Sequence, residues 1–235
     1  MTDIAANWAR ICRSVAGAAE RAGRDPATVQ VIAVSKTKPV TLIEQVIAAG
    51  ARQLGENYVQ EAAGKIGQVT APVRWHLIGH LQRNKAARAV ELFDVIQTLD
   101  SVALGRALAR HGERRGRPVH VLIEVNVGGE RTKSGVVPAA VEAVLEALAA
   151  ERWLQIDGLM TVPPPAIVAE VARPHFRALR ALRDRLVARA AANAPLRELS
   201  MGMSDDFEVA IEEGATMVRI GRAIFGERQQ GSKLS

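Results

Sequence analysis

Val31-Ile32-Ala33-Val34-Ser35-Lys36-Thr37-Lys38-Pro39 is a short apolar run that ends on a lysine and then turns. From Val29 to Val34 the residues are apolar and β-branched almost throughout, the pattern of a strand buried on both faces, as strands of a parallel sheet are. Pro39 cannot prolong that strand, and Thr41-Leu42-Ile43-Glu44 has the Ser/Thr-x-x-Glu form of a capping box, so a helix is expected from about Leu42. Lys36 then occupies the carboxyl end of a strand in a strand-to-helix loop, where α/β folds carry their chemistry. Taken alone, a lysine in such a place is more often a solvated charge, so the rest of the chain must decide.

Outward from this unit the pattern repeats. Ile4, Trp8, Ile11 and Val15 mark the apolar face of a helix in front of it. Strands are expected at 29–34, 52–57, 73–79, 93–99, 119–127, 155–161, 196–201 and 217–221. Helices are expected between them, with Ser101 and Ser204 as N-caps and a short last helix at 222–227. Strict alternation implies an all-parallel sheet, and eight units close most naturally into a single (β/α)8 TIM barrel preceded by an extra N-terminal helix. An open doubly wound sheet is the alternative, but no Gly-x-Gly-x-x-Gly turn follows the first strand.

The chain of 235 residues is 48% hydrophobic, enough to bury one large core, and no linker divides it, so residues 1–235 are expected to form one domain. Pro163-Pro164-Pro165 is only a loop. The net charge of +6 raises the question of nucleic acid, but the basic residues are spread out, and only the cluster from Arg110 to Arg117 is dense. With 3% aromatics there is little to stack on bases, so a solvated helix end is the preferred reading of that cluster. The lone Cys12 rules out an internal disulfide framework, suits a reducing compartment and falls on the buried face of the first helix. No run approaches membrane-spanning length, no signal-peptide core is present, and Ser-Lys-Leu is not terminal, so a cytoplasmic location is expected.

In a barrel the strand ends meet on one face. There the chain supplies Lys36, Asn57, His80, Ser200, Met203, Ser204, Arg219 and Gly221. Gly202 and Gly221 let the backbone approach a ligand, Ser200 and Ser204 offer hydroxyls, and Arg222-Ala223-Ile224 would present main-chain N–H groups to an anion, after the seventh and eighth strands where barrels often bind phosphate. Val218 and Ile220 should face the helices, which turns Met217 and Arg219 into the barrel. An inward arginine needs an acceptor, either a carboxylate such as Glu124 or a ligand atom. A lysine, a phosphate cradle and an inward arginine on one face point to pyridoxal 5′-phosphate, whose aldehyde condenses with an amine and whose pyridine nitrogen takes a protein partner.

With these residues in view, the sequence resembles the YggS/PROSC family of pyridoxal phosphate homeostasis proteins over nearly its whole length. The resemblance is carried by Ala33-Val34-Ser35-Lys36, Gly55-Glu56-Asn57, the block from Trp75 to Lys85, Leu199 to Asp206, and Val218 to Gly226. It implies a fold type III barrel like the N-terminal domain of alanine racemase, with the cofactor as a Schiff base on Lys36. It also implies phosphate contacts at Ser200 and Gly221 with the Met203-Ser204 turn nearby, a pyridine-nitrogen contact at Arg219, and pocket positions at Asn57 and His80. Two departures stand out: Arg222 replaces a small hydroxyl residue usual in the family, and Gln229-Gln230 replace an aromatic.

Racemisation on such a scaffold needs a second base on the opposite face of the substrate, a tyrosine from a β-rich second domain. This chain is not expected to carry that domain, and its single tyrosine, Tyr58, sits beside Asn57 in a surface or packing role. The expected function is therefore a monomeric carrier or buffer of pyridoxal phosphate that serves apo-enzymes, without strong catalysis of its own. A racemase-like enzyme is the alternative. Lys38, Lys85 and Lys133 are read as solvated side chains that could also guide the anionic cofactor.

Overall fold

A computed structural model describes residues 2–130, 134–164, 167–189 and 191–226. Helix α1 (Ile4–Arg21) comes first, started by the Asp3 side chain accepting from the Ala6 N–H. Strand and helix then alternate: β1 (Gln30–Val34), α2 (Val40–Ala48), β2 (Gln53–Glu56), α3 (Val59–Ile66), β3 (Arg74–Leu77), α4 (Ala86–Leu92), β4 (Val95–Leu99) and α5 (Val102–Arg115). The second half continues with β5 (Val119–Glu124), α6 (Val141–Leu148), β6 (Leu154–Met160), α7 (Arg173–Val187), β7 (Glu198–Ser200), α8 (Phe207–Glu212), β8 (Met217–Ile220) and α9 (Arg222–Phe225).

All eight strands are parallel and in sequence order, and β8 returns to pair with β1 through Gln30↔Met217, Val31↔Val218 and Ile32↔Arg219. That closing ladder decides for the barrel over the open sheet. Ile32, Leu122, Met160 and Met217 pack together inside it. Val218 and Ile220 belong to the larger apolar layer between strands and helices, so the alternation read for β8 holds. Ile4, Trp8, Ile11 and Val15 join the same outer layer from α1, which lies against α2, α8 and α9 and covers the seam where the barrel closes. Cys12 is only half-buried, at the edge of that layer.

Helix starts depart from the sequence reading in informative ways. Ser101 caps α5 as expected, accepting from the Leu104 N–H at 3.3 Å. Thr41 does not cap α2: the helix starts at Val40 behind Pro39, whose extended backbone makes the entry and leaves Thr41 already inside the first turn. Ser204 does not cap α8 either. Asp206 occupies that N-cap position, and the Ser204 hydroxyl accepts instead from the Ala223 N–H of α9, a helix remote in sequence but adjacent in space. The basic cluster read as a helix end spans the end of α5, with Arg114 and Arg115 in its last turn, where cations oppose the helix dipole, and Gly116 in the left-handed region closing it. The expected last helix reaches Phe225; Glu227, Gln229, Gln230, the Ser-Lys-Leu stretch, Lys133 and Pro165 lie outside the described residues.

Candidate functional site

Lys36 leaves β1 through a loop whose two flanking residues are tied to charged groups from the next strand and helix. The Ser35 hydroxyl donates to Glu56 Oε1 at 2.6 Å, and Lys65 Nζ donates to the Ser35 carbonyl at 2.9 Å and to Glu56 Oε1 at 3.0 Å. The Glu61 carboxylate accepts from both Lys65 Nζ and the main-chain N–H of Thr37, each at 2.5 Å. Thr37 has φ 64°, a left-handed conformation uncommon for a β-branched residue. The Glu61 contact helps hold it there. Ser35 and Glu56 are fully buried. Burial pushes the Glu56 carboxyl up, opposed by Ser35 and Lys65. The sequence reading did not find Lys65 and Glu61; their i, i+4 spacing on α3 was the available signal.

Above the strand ends lies a cavity of about 840 Å³. Lys36, Asn57, Met203, Ser204, Arg219, Gly221 and Arg222 all line it, together with Lys38, Val162 and Asp205. Asn57 turns out of β2, and its Oδ1 is buried with no hydrogen-bond partner. Its carbonyl oxygen would lie 2.2 Å from a Cβ at Gly79, so only glycine fits there. At Gly221 a Cβ would meet Val34 at 3.3 Å, and its absence leaves the wall open between β1 and β8.

Arg219 is inward and 4% exposed. Its Nη1 donates to the Ser200 hydroxyl and its Nη2 to the Thr161 carbonyl, both at 2.7 Å. Both acceptors are protein groups, and neither is Glu124. Glu124 accepts from Ser134 at 3.0 Å, while its Oε2 is buried and unpartnered; burial pushes its carboxyl up. Burial lowers Arg219 to about 10, opposed by the fields of Asp206 and Glu124, so it stays a cation at neutral pH.

Ser200, expected as a phosphate contact, and His80, expected as a pocket position, are not among the residues that line the cavity. Ser200 is fully buried, does not line the cavity, and its hydroxyl is used on both sides, accepting from Arg219 and donating to Gln97 Oε1 at 2.7 Å. Its strand parity points it into the barrel, beneath the ligand face. His80, in the turn beyond β3, also does not line the cavity; its side chain is about half exposed, with Nδ1 3.3 Å from Asp100 Oδ2. At the rim, Arg222 grips both carboxylate oxygens of Asp205, so its charge is countered locally. Lys38 Nζ points to the carbonyls of Phe225 and Gly226 at 3.4 and 3.5 Å. Tyr58 is 60% exposed.

Residues 4–229 match the family model described as the alanine racemase N-terminal domain. The chain is 43% identical to a pyridoxal phosphate homeostasis protein of Pseudomonas aeruginosa over the full length of both chains. It is 40% identical to the protein of that name in Escherichia coli, covering 99% of this chain and all of the relative. Among solved structures, PipY of Synechococcus elongatus with PLP bound is 38% identical, with a TM-score of 0.79 over 90% of this chain and all of that one. Alanine racemase of Clostridium difficile is 13% identical, with a TM-score of 0.72 over 96% of this chain and 58% of that one, which shows the shared barrel.

Proposed function

Because the chain belongs to the family of pyridoxal phosphate homeostasis proteins, we propose that it binds pyridoxal 5′-phosphate reversibly in the cavity above the barrel and serves as a carrier or buffer of that cofactor. The observation that carries this reading is the set of polar groups around the cavity: Lys36, the desolvated Arg219 cation and Asn57 line one space bounded by Gly221. The set fits the cofactor. When bound, pyridoxal phosphate supplies an aldehyde carbon that joins reversibly to an amine.

In this reading Lys36 is that amine, with its main chain fixed by the Glu56, Glu61 and Lys65 cluster. Arg219 would meet the ring nitrogen as a donor-only cation, which would keep a proton off that nitrogen. Gly221, the start of α9, Met203, Ser204 and Arg222 would hold the phosphate, and Asn57 would meet a polar atom of the ring. Ser200 holds Arg219, and His80 stands at the outer edge paired with Asp100.

A carrier role is favoured over catalysis by two features besides the relatives' names. Tyr58 is largely exposed and does not line the cavity, and the lining carboxylate, Asp205, is engaged by Arg222. The reading includes a monomer in the cytoplasm that passes the cofactor to apo-enzymes; among the described residues no helix is long and apolar enough to cross a membrane.

The test is mass mapping after borohydride reduction of the protein incubated with pyridoxal phosphate. A phosphopyridoxyl adduct on Lys36, lost in Lys36→Ala, is expected, with no α-proton exchange of amino acids into heavy water. Labelling scattered over surface lysines would overturn the site, and rapid α-proton exchange would turn the carrier into an enzyme.

A further inference from the structure

Beneath the cavity the barrel interior is divided. One part is the apolar packing of Ile32, Leu122, Met160 and Met217. The other is a row of polar side chains, His76, Gln97 and Ser200, each fully buried, that leads away from Arg219.

The directions of its hydrogen bonds are fixed from one end. A guanidinium only donates, so the Ser200 oxygen accepts from Arg219 Nη1 and its single hydroxyl proton goes to Gln97 Oε1. That sets the Gln97 amide: its Nε2 faces His76 Nδ1 at 3.0 Å and Met217 Sδ at 3.7 Å. An amide nitrogen only donates, so His76 Nδ1 must be the lone-pair nitrogen. The imidazole proton then sits on Nε2 and goes to Gln53 Oε1 at 2.7 Å. The result is a one-way chain of donors, Arg219 to Ser200 to Gln97 to His76 to Gln53, crossing from β8 and β7 to β4, β3 and β2.

We propose that His76 and Gln97 are positioning residues whose hydrogen bonds fix the Arg219 guanidinium toward the cavity through Ser200. A network satisfied at every member admits one arrangement, whereas a broken one leaves buried groups that reorient to find partners. His76 suits the task because it stays neutral: burial holds its pKa down to about 3, and the positive field of Arg74 on the same strand adds to that. A protonated ring would donate at both nitrogens and oppose Gln97. Thr161 fixes the second amino group of Arg219 through its carbonyl, and the remaining N–H groups of Arg219 are the ones the cavity can use. The effect on ligand binding rests on the pyridoxal phosphate reading; the positioning of Arg219 does not.

The test uses nitrogen-15 NMR of the whole protein, without and then with pyridoxal phosphate. Without it, His76 is expected as the Nε2–H tautomer unchanged from pH 5 to 8, and Arg219 is expected to show resolved, slowly exchanging Nη resonances. In His76→Leu those resonances should collapse and pyridoxal phosphate affinity should fall by roughly tenfold or more, the weight of one charge-assisted hydrogen bond. His76→Asn, which restores an acceptor near the Nδ1 position, should recover both. An Nδ1–H tautomer, a His76 that titrates in that range, or unchanged Arg219 resonances in folded His76→Leu would overturn the proposal. If His76→Leu does not fold, Gln97→Met carries the same expectation and the same refutation, and the wild-type tautomer decides in any case. Failure of wild type to take the cofactor on Lys36 would remove the proposed function while leaving the NMR result to stand or fall alone.

Discussion

Lys65 Nζ lies 3.0 Å from Glu56 Oε1 behind the end of β1, and both side chains are buried or nearly so. The same ammonium donates to the Ser35 carbonyl and to Glu61, so one cation bridges two carboxylates and fixes the main chain on the near side of Lys36. Removing the cation alone leaves Glu56 buried without a counter-charge. Lys65→Met is therefore expected to destabilise the fold by about 3–5 kcal/mol, and the pair Lys65→Met, Glu56→Gln by clearly less than the sum of its parts. Urea unfolding of the three variants measures both. A cost under about 1 kcal/mol for Lys65→Met would mean the cluster is solvated and does not hold the loop.

Glu124 offers a pH signature. Its carboxyl is pushed up by burial, against Ser134 and Arg219, which pull it down. A carboxyl whose folded pKa lies above its unfolded value stabilises the fold most below the unfolded value, about 4.3, and that contribution is lost as pH rises through the folded value. Glu124→Gln, which cannot ionise, should thus gain stability relative to wild type as pH is raised from about 4.5 to 7.5. Urea midpoints at several pH values read this directly. A difference that stays flat, or grows toward acid, contradicts the assignment.

The barrel was legible because its signals are local and repeated: apolar β-branched runs, helix faces and turn residues recur eight times, and the parity of Val218 and Ile220 turns Arg219 inward without further information. That Lys36, Asn57 and Gly221 line one cavity was legible because strand ends converge on one face. What escaped was set by contacts distant in sequence. Ser204 reads as the cap of the helix just after it, yet it binds Ala223 in another helix. Ser200 reads as a ligand hydroxyl, yet strand parity puts it beneath the cavity in the service of Arg219. His80 lies in a turn, where no periodicity fixes the direction of a side chain. Beyond its spacing from Glu61, Lys65 carries no signal in the sequence because its role comes from burial.

Gly158 tests the closure of β6 on β7. A Cβ built there would come 1.9 Å from the Glu198 carbonyl oxygen, a main-chain atom of the paired strand that cannot swing away. Gly158→Ala should cost at least about 3 kcal/mol, at the upper end for overpacking, and lower the soluble yield. Gly64→Ala, at an exposed site on α3 where nothing lies within 4 Å of the new atom, should be neutral or stabilising by up to about 1 kcal/mol, since alanine favours the helix. Thermal unfolding of the two side by side separates the steric effect from a general response to added methyl groups. Similar melting temperatures would show that β6 and β7 can separate at no cost.

Asp205 and Arg222 make the rim of the cavity an electrostatic balance that one substitution can tip. Both side chains are more than half exposed, so their pairing adds little to stability, about 0–1 kcal/mol. Its effect falls on the ligand: in the proposed function Arg222 stands at the phosphate of the cofactor, and Asp205 offsets part of its charge there. Asp205→Ala should therefore tighten pyridoxal phosphate binding severalfold at low salt, and the gain should shrink as ionic strength rises and the Debye length drops to about 8 Å or less. Arg222→Ala should weaken binding, again more at low salt, whereas the double variant should lie between the two. Absorbance titrations at two salt concentrations distinguish this from a structural effect, which salt would leave in place. Weaker binding in Asp205→Ala at every salt concentration would instead make the carboxylate part of the phosphate cradle, holding Arg222 in position for it.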